Sequence, residues 1–429
     1  MEITVYRDWR GHKQKVGTLR RQEGLGSEQL FYDDAFLKSG SLGISQRIPL
    51  SDGIFESSEI APFFQGLLPE GEVIAHVSRM GQVPRNDWFG LIAMLGCESI
   101  GALTFATDDL QPGCPEGSYE PLKPEDVLAL REHPAHVAAA VASSTRLSLA
   151  GAQSKVAWTL PKGVSPCDAR IEDWLVPRGG AASTHIVKIS RNGEEDLAIN
   201  ELACSYLAKS CGIETASVYE IPQVPGAIAV ERYDRLWHEA DGRQAVERLH
   251  QEDFCQALGL APFYKYQPQG VEADYVEMAG ALLGETVAFP AEARVEFAKR
   301  LVFNYAVGNS DAHLKNSSLL YGKDWRSRTL APLYDVTCIP LSGYSTKMPF
   351  VVGEHREMEE IDEGDIFQIC VSADASIGAF DKAVAEVESG LTVPAIPDCG
   401  QNVLAMIDQI LENSKPRIKV LQNYLDNAG

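Results

Sequence analysis

The segment GNSDAHLKNSSLLYG, residues 308–322, follows a long apolar stretch yet sets Asp311, His313, Lys315 and Asn316 within six positions. Such density rarely serves packing, because each polar group needs a partner if it is buried. An aspartate and an asparagine five residues apart have the spacing at which phosphoryl-transfer loops supply a base for a hydroxyl and an amide oxygen for a metal ion. A helix C-cap with solvated polar residues would leave the same string. A second carboxylate shifts the balance. LAPLYDVTCI places Asp335 at the end of an apolar run, which reads as a strand ending in one acid. Mg²⁺ favours carboxylate, amide carbonyl, phosphate and water oxygens, a demand that Asn316 with Asp335 meets. A plain turn aspartate is the other reading.

The earlier part of the chain carries what a phosphate-handling site still lacks. Lys188 sits inside HIVKIS, which reads as a buried strand, and Glu201 follows in the next helix. A strand lysine balanced by a helix glutamate is the arrangement by which kinases grip the α- and β-phosphates of a nucleotide; a lysine snorkelling at a sheet edge is the alternative. AVERYDR, residues 229–235, reads as a strand running into a polar connection. The backbone from Glu231 to Tyr233 could hydrogen-bond a base there, and Asp234 could take ribose hydroxyls. RLSLAGAQSK, residues 146–155, suggests a strand interrupted at Gly151, with a serine before it and a lysine after.

The elements that must position these residues change character along the chain. Residues 1 to about 50 read as short strands with glycine turns, and 58–80 as helical turns. FGLIAMLG reads as a short helix and IGALTFA as a strand, with a Pro- and Gly-rich linker over 107–122. KPEDVLALREH has the proline and acids of a helix start. LSLAGAQSKVAWTL reads as a hairpin or bulged pair, THIVKIS as a strand, and EDLAINELACSYLAKSCG as a helix ending near Gly212. From about residue 250 helices dominate, among them the long AEARVEFAKRLVFNYAVGN. Strands first and helices later argue for a β-rich lobe followed by a helical one.

Composition narrows the function classes. The chain has 429 residues, 38 basic against 60 acidic, for a net charge of −22. That surface repels phosphate backbones, so direct nucleic-acid binding is disfavoured as the main activity, whereas a basic protein partner is suited to it. The nine cysteines are scattered without CxxC spacing, so reduced thiols and no zinc site are expected. No signal peptide is evident and no apolar run approaches ~18 residues, which points to a cytoplasmic protein.

Taken together and in order, SLAGAQSK, THIVKI, NELACSYLAKSCGI, AVERYDR, HQEDFCQALGL, GNSDAHLKN and LAPLYDV resemble the HipA-type serine/threonine kinases, toxins of bacterial HipBA-type toxin–antitoxin modules. GLLPEG and FGLIAMLGCESIGALTF resemble that family's N-terminal subdomain, so the resemblance covers nearly the whole chain. It implies an α+β, kinase-like two-lobed fold. An extra N-terminal subdomain would span residues 1–110, the rest of the β-rich N-lobe 123–245, and the helical C-lobe 246–429.

The resemblance also implies roles. Asp311 would orient the substrate hydroxyl as base, and Asn316 and Asp335 would hold Mg²⁺. Lys188 would contact ATP phosphates, while Glu231, Tyr233 and Asp234 would meet adenine and ribose. His313 and Gln251 would support the catalytic loop. The loop Ala150, Gly151, Ala152, Gln153, Ser154 and Lys155 replaces a GxGxxG motif and would cover the phosphates, the glycine allowing close approach. Ser148 would be an autophosphorylation site whose phosphate drives the loop outward and blocks ATP. The implied substrate is a protein hydroxyl, in the family that of glutamyl-tRNA synthetase, with growth arrest and antibiotic tolerance as the result. The implied partner is a HipB-like helix-turn-helix antitoxin through which DNA is bound, with no membrane involved. A small-molecule phosphotransferase or a regulatory binding protein on the same scaffold is the alternative.

Overall fold

A computed structural model describes residues 1–9, 12–107, 117–145, 155–190, 196–240, 243–395 and 399–428. The chain divides into two compact units, each discontinuous in sequence. The first comprises Met1–Glu195, Tyr219–Pro262 and Leu320–Ser327; the second comprises Asp196–Val218, Phe263–Leu319 and Arg328–Gly429. The helix carrying Glu201 belongs to the second unit.

The first unit opens with a five-stranded antiparallel sheet in the spatial order Phe55–Glu56, Glu28–Tyr32, His12–Arg21, Glu2–Trp9, Leu103–Thr107. Period-two alternation turns Ile3, Val5, Leu19 and Leu30 into one core with Phe63, Phe64, Phe89 and Leu91 of the following helices. Asp87 caps the helix Trp88–Leu95 by accepting from Gly90 N–H at 2.8 Å. Arg21 joins that cap to the sheet, donating to Asp87 and, at 2.8 Å, to Glu28. A second ladder runs Ala227–Glu231, His185–Ile189, Lys155–Trp158, antiparallel throughout. Residues 155–158 therefore pair with a strand some thirty positions on, while the first half of the expected hairpin or bulged pair, 147–154, lies outside the described residues. The helix Pro134–Thr145 was not legible either, because its alanine-rich face has little periodic contrast.

A buried ionic cluster sits in this unit. Glu98 Oε1 accepts from Ser183 Oγ at 2.9 Å, Arg235 Nη2 at 2.9 Å and Arg232 Nη1 at 3.3 Å, and Oε2 accepts from Arg248 Nε at 2.7 Å. Burial alone would push the Glu98 carboxyl up, but Arg235, Arg248 and Arg232 hold it well below the usual carboxylate range. Asp234 is held low in the same way, by Arg232 and Arg235.

The second unit is mainly helical. Pro290–Val307 starts with proline at its first turn and is buried almost all round from Phe297 to Val307, as a central helix must be. Tyr275–Thr286, Glu363–Ser372, Ile377–Thr392 and Gln401–Ala428 pack around it, and Asp196–Ser210 lies on the last two. The hairpin Lys347–Val352 with His355–Glu357 was hidden in a stretch otherwise read as helical; Gly353, at φ +61°, makes its turn. Cys204, Cys211, Cys255, Cys338 and Cys370 are free and buried. Among the described residues no helix is long and apolar enough to cross a membrane.

The cluster around Glu98 generates a stability prediction. Replacing Glu98 by Gln leaves three buried guanidiniums short of one charge and should cost about 3 kcal/mol in a urea titration. Both carboxyls have folded pKa values below their unfolded ones. Their contribution is therefore complete above about pH 5 and is lost as pH falls further. The wild-type urea midpoint should fall between about pH 5 and 3, and Glu98→Gln should show a shallower fall.

Candidate active site

The loop carrying Asp311 begins where the central helix ends. Gly308, at φ +83°, caps that helix, and Asn309 N–H bonds Asn304 O at 2.7 Å. Asn309 Nδ2 also donates to Asn304 Oδ1 at 2.9 Å, and Asp311 N–H reaches Asn309 Oδ1 at 3.3 Å. His313 N–H then bonds Asp311 O at 2.7 Å, Asn316 N–H bonds His313 O at 2.8 Å, and Leu314–Asn316 forms one 3₁₀ turn. Across this turn Asn316 Nδ2 donates to Asp311 O at 2.8 Å. The amide nitrogen is thus spent on the loop, which leaves Oδ1 as the end that can coordinate or accept. Asn309, His313, Lys315 and Asn316 are all buried, so a cap of solvated polar residues does not describe this segment.

Asp335 arrives by a different route from the expected strand. The strand Arg328–Leu330 ends before Pro332, which has no N–H to continue a ladder. Beyond it Leu333 N–H bonds Glu214 O and Ala216 N–H bonds Leu333 O, each at 2.9 Å. The Tyr334 hydroxyl donates to Lys315 O at 2.8 Å and lies 2.6 Å from Ser318 Oγ, tying this arm to the loop that carries Asp311. Asn200 clasps the far side, accepting from Cys338 N–H at 2.7 Å and donating to Cys338 O at 3.0 Å. Between these anchors Asp335 takes φ +60°, a left-handed conformation that Asp and Asn tolerate better than other side chains. Non-glycine residues in that region persist where the surroundings over-determine them, as they do here. Asn304, Asn309, His313, Asn316, Tyr334 and Val336 line one cavity within this unit.

The first unit gathers the other predicted residues. Lys188 is buried on the strand His185–Ile189, directly opposite Lys155 on Lys155–Trp158. Facing residues of an antiparallel pair share one side of the sheet, so two ammoniums there favour anionic charge on that side. Glu231 ends the strand Ala227–Glu231, with its side chain exposed. The Tyr233 hydroxyl donates to Gln251 Oε1, and Gln251 Nε2 donates to Asp234 Oδ2 at 3.0 Å. Asp234 is buried and already accepts from Arg232 Nε at 2.9 Å and Nη2 at 2.8 Å, and from Gly101 N–H at 2.8 Å, with Arg235 at 2.8 Å. Most of these donors converge on Oδ2, while Oδ1 takes the Arg232 Nε bond. Glu201, in the second unit, is buried on Asp196–Ser210. Ser148, Ala150, Gly151, Ala152, Gln153 and Ser154 lie outside the described residues.

Sequence reasoning passed over several residues that shape the site. Asn309, Asn200 and Tyr334 order the two arms through buried hydrogen bonds, and no motif spacing marks Asn200 or Tyr334. Tyr266 donates its hydroxyl to Asp311 Oδ1 from 45 positions upstream. Only its place in the polar string KYQPQG, between two helical stretches, set it apart.

Residues 147–392 match the HipA-like C-terminal domain family, and residues 10–106 match the HipA N-terminal domain family. The chain belongs to the HipA family. The putative kinase Y4mE of Sinorhizobium fredii is 34% identical over 80% of this chain and 79% of its own length. The serine/threonine-protein kinase toxin HipA of Shewanella oneidensis is 30% identical over 76% of this chain and 73% of its own. The solved complex of Shewanella oneidensis HipA with HipB and operator DNA superposes with a TM-score of 0.80 at 22% identity, covering 99% of each chain. The fold is accordingly the α+β kinase-like fold, and the enzyme class is serine/threonine kinase.

Asp335 in this HipA-family kinase separates chemistry from backbone. Asp335→Asn keeps a side chain that tolerates φ +60° and should unfold at the wild-type urea concentration. Asp335→Ala should lose about 1 kcal/mol. Both should lose phosphoryl transfer, measured with labelled ATP.

Proposed function

We propose that this chain transfers the γ-phosphoryl group of ATP to a serine or threonine hydroxyl of a protein, and that it is the toxin of a HipBA-type pair. The observation that carries the reading is the bond from Asn316 Nδ2 to Asp311 O, which holds the two residues on one short, ordered loop. Asp311 accepts the hydrogen bond of the acceptor hydroxyl and orients it. Asn316 Oδ1 and the Asp335 carboxylate form an oxygen donor set for Mg²⁺. Such an ion keeps waters and shares phosphate oxygens. When bound, the ion would neutralise phosphate charge during transfer.

Lys188, with Lys155 beside it, is assigned to the ATP phosphates, together with the backbone of 150–154. Glu201 is assigned to balance Lys188. The backbone from Glu231 to Tyr233 is assigned to adenine. Ribose would compete with Gln251 for Asp234 Oδ2. His313 supports the loop by packing, its ring edge-on to Tyr266 at 5.0 Å between centroids.

The partner is a HipB-like antitoxin, and DNA is reached through it. A chain of net charge −22 gains little from touching DNA itself, and a relative in the family was solved with HipB and operator DNA. The acceptor is a translation protein, an aminoacyl-tRNA synthetase such as glutamyl-tRNA synthetase, and its modification arrests growth and produces persistence. Phosphorylation of Ser148 inactivates the enzyme.

Incubating the purified chain with labelled ATP and a cell lysate tests this reading. One dominant protein should be labelled on serine or threonine, and Asp311→Asn should reduce labelling at least about 10²-fold while ATP still binds. Undiminished labelling by Asp311→Asn would remove Asp311 from the mechanism. Expressed without antitoxin, the wild type should arrest growth and Asp335→Ala should not; equal toxicity would point to a mechanism other than transfer.

A further inference from the structure

We infer that Tyr266 is an acceptor-site gate: its phenol holds the place on Asp311 that a substrate hydroxyl must take, and is displaced when that hydroxyl arrives. The inference rests on Asp311 being the base of the proposed kinase reaction and adds a residue that controls access to it. Tyr266 donates its hydroxyl to Asp311 Oδ1. An acceptor serine or threonine makes the same kind of bond, an O–H donated to that carboxylate, before its oxygen attacks phosphorus. The two hydroxyls therefore compete for Asp311 Oδ1, the oxygen on which the phenol sits.

The surroundings suit a movable side chain on a fixed backbone. Tyr264 O accepts from the Tyr275 hydroxyl at 3.0 Å, which pins the chain two residues before Tyr266. Directly after it Gln267 is stitched to the hairpin: its N–H bonds Pro349 O at 2.9 Å and its Oε1 accepts from Val351 N–H at 2.8 Å. Gln267 O in turn accepts from Arg356 Nη1 at 2.8 Å. Tyr266 itself is 38% exposed, against 6% for Gln267. Its ring meets the edge of His313 on one side and the Lys265 ammonium at 5.4 Å on the other, contacts that a rotation about χ1 can give up without moving the loop. Water is the smallest competitor for Asp311, so a phenol parked there also suppresses wasteful attack of water on ATP.

The test compares wild type, Tyr266→Phe, Tyr264→Phe and Asp311→Asn, each checked for an unchanged melting temperature. Tyr266→Phe keeps the ring and deletes only the hydroxyl. Acceptor-free hydrolysis of ATP should rise about tenfold, the factor expected for the loss of one hydrogen bond to a charged group. With dephosphorylated casein as acceptor, KM should fall about tenfold while kcat stays within about twofold. Tyr264→Phe should match wild type in both. The gate is overturned if Tyr266→Phe leaves hydrolysis and KM unchanged, or if it lowers kcat at constant KM, which would make the phenol a positioning group. Labelling of Tyr266 itself would also overturn it, the phenol then being an acceptor. Undiminished transfer by Asp311→Asn would instead defeat the underlying kinase reading, so the two failures are separable.

Discussion

The bond between the Asn316 side-chain amide and the Asp311 carbonyl is the constraint on which the candidate site depends. It closes a ring around the 3₁₀ turn Leu314–Asn316, so the backbone of Asp311 and the side chain of Asn316 cannot drift apart independently. Catalysis of phosphoryl transfer asks the protein for position and charge more than for covalent chemistry, and a misplacement of about 1 Å can cost two orders of magnitude. A loop of short polar side chains would ordinarily sample many conformations. Here Asn309, His313 and Asn316 are buried, and each unmade bond would cost about 1–3 kcal/mol. Burial is thus what turns a polar loop into a rigid one.

The second arm is held by the same device. Asp335 has no regular element beneath it, because the ladder stops at Leu330. Its position comes from Tyr334 on one side and from the paired bonds of Asn200 to Cys338 on the other. Arg300 adds a third anchor from the central helix, donating to Ala331 O at 2.7 Å. With these fixed, the chain between them must turn in a short space, and the left-handed φ of Asp335 follows from closure. An aspartate is among the few residues that meet that geometry and also carry a charge, so fold and chemistry select the same side chain at this point.

What was legible in the sequence divides along the same physical line. The central helix announced itself through Pro290, a sustained apolar run and Gly308, all local signals. Asp311, His313 and Asn316 stood out because polar residues crowded a helix end, again locally, and the HipA-family resemblance rested on short strings of that kind. Non-local pairings were not legible. Lys155 opposite Lys188 depends on the register of two strands some thirty residues apart, and no local pattern encodes register. Asn200 looks like any helix residue until Cys338 is brought to it. The strand expected through Asp335 failed because apolar content was read without the missing donor of Pro332, a cue that was present.

Asp234 shows that a motif marks a position whose surroundings only the fold supplies. AVERYDR was read as a nucleotide edge, with its aspartate facing a ribose. The carboxylate is instead wrapped by Arg232, Arg235, the Gly101 amide and Gln251, inside a cluster that also holds Glu98 and Arg248. Five charges of both signs in one buried site are rarely worth their desolvation as stability alone; their use is to fix geometry. They lock the turn after Glu231 and, through Gln251, the Tyr233 hydroxyl. A carboxylate committed to that task exchanges partners only at the cost of a charge-assisted bond.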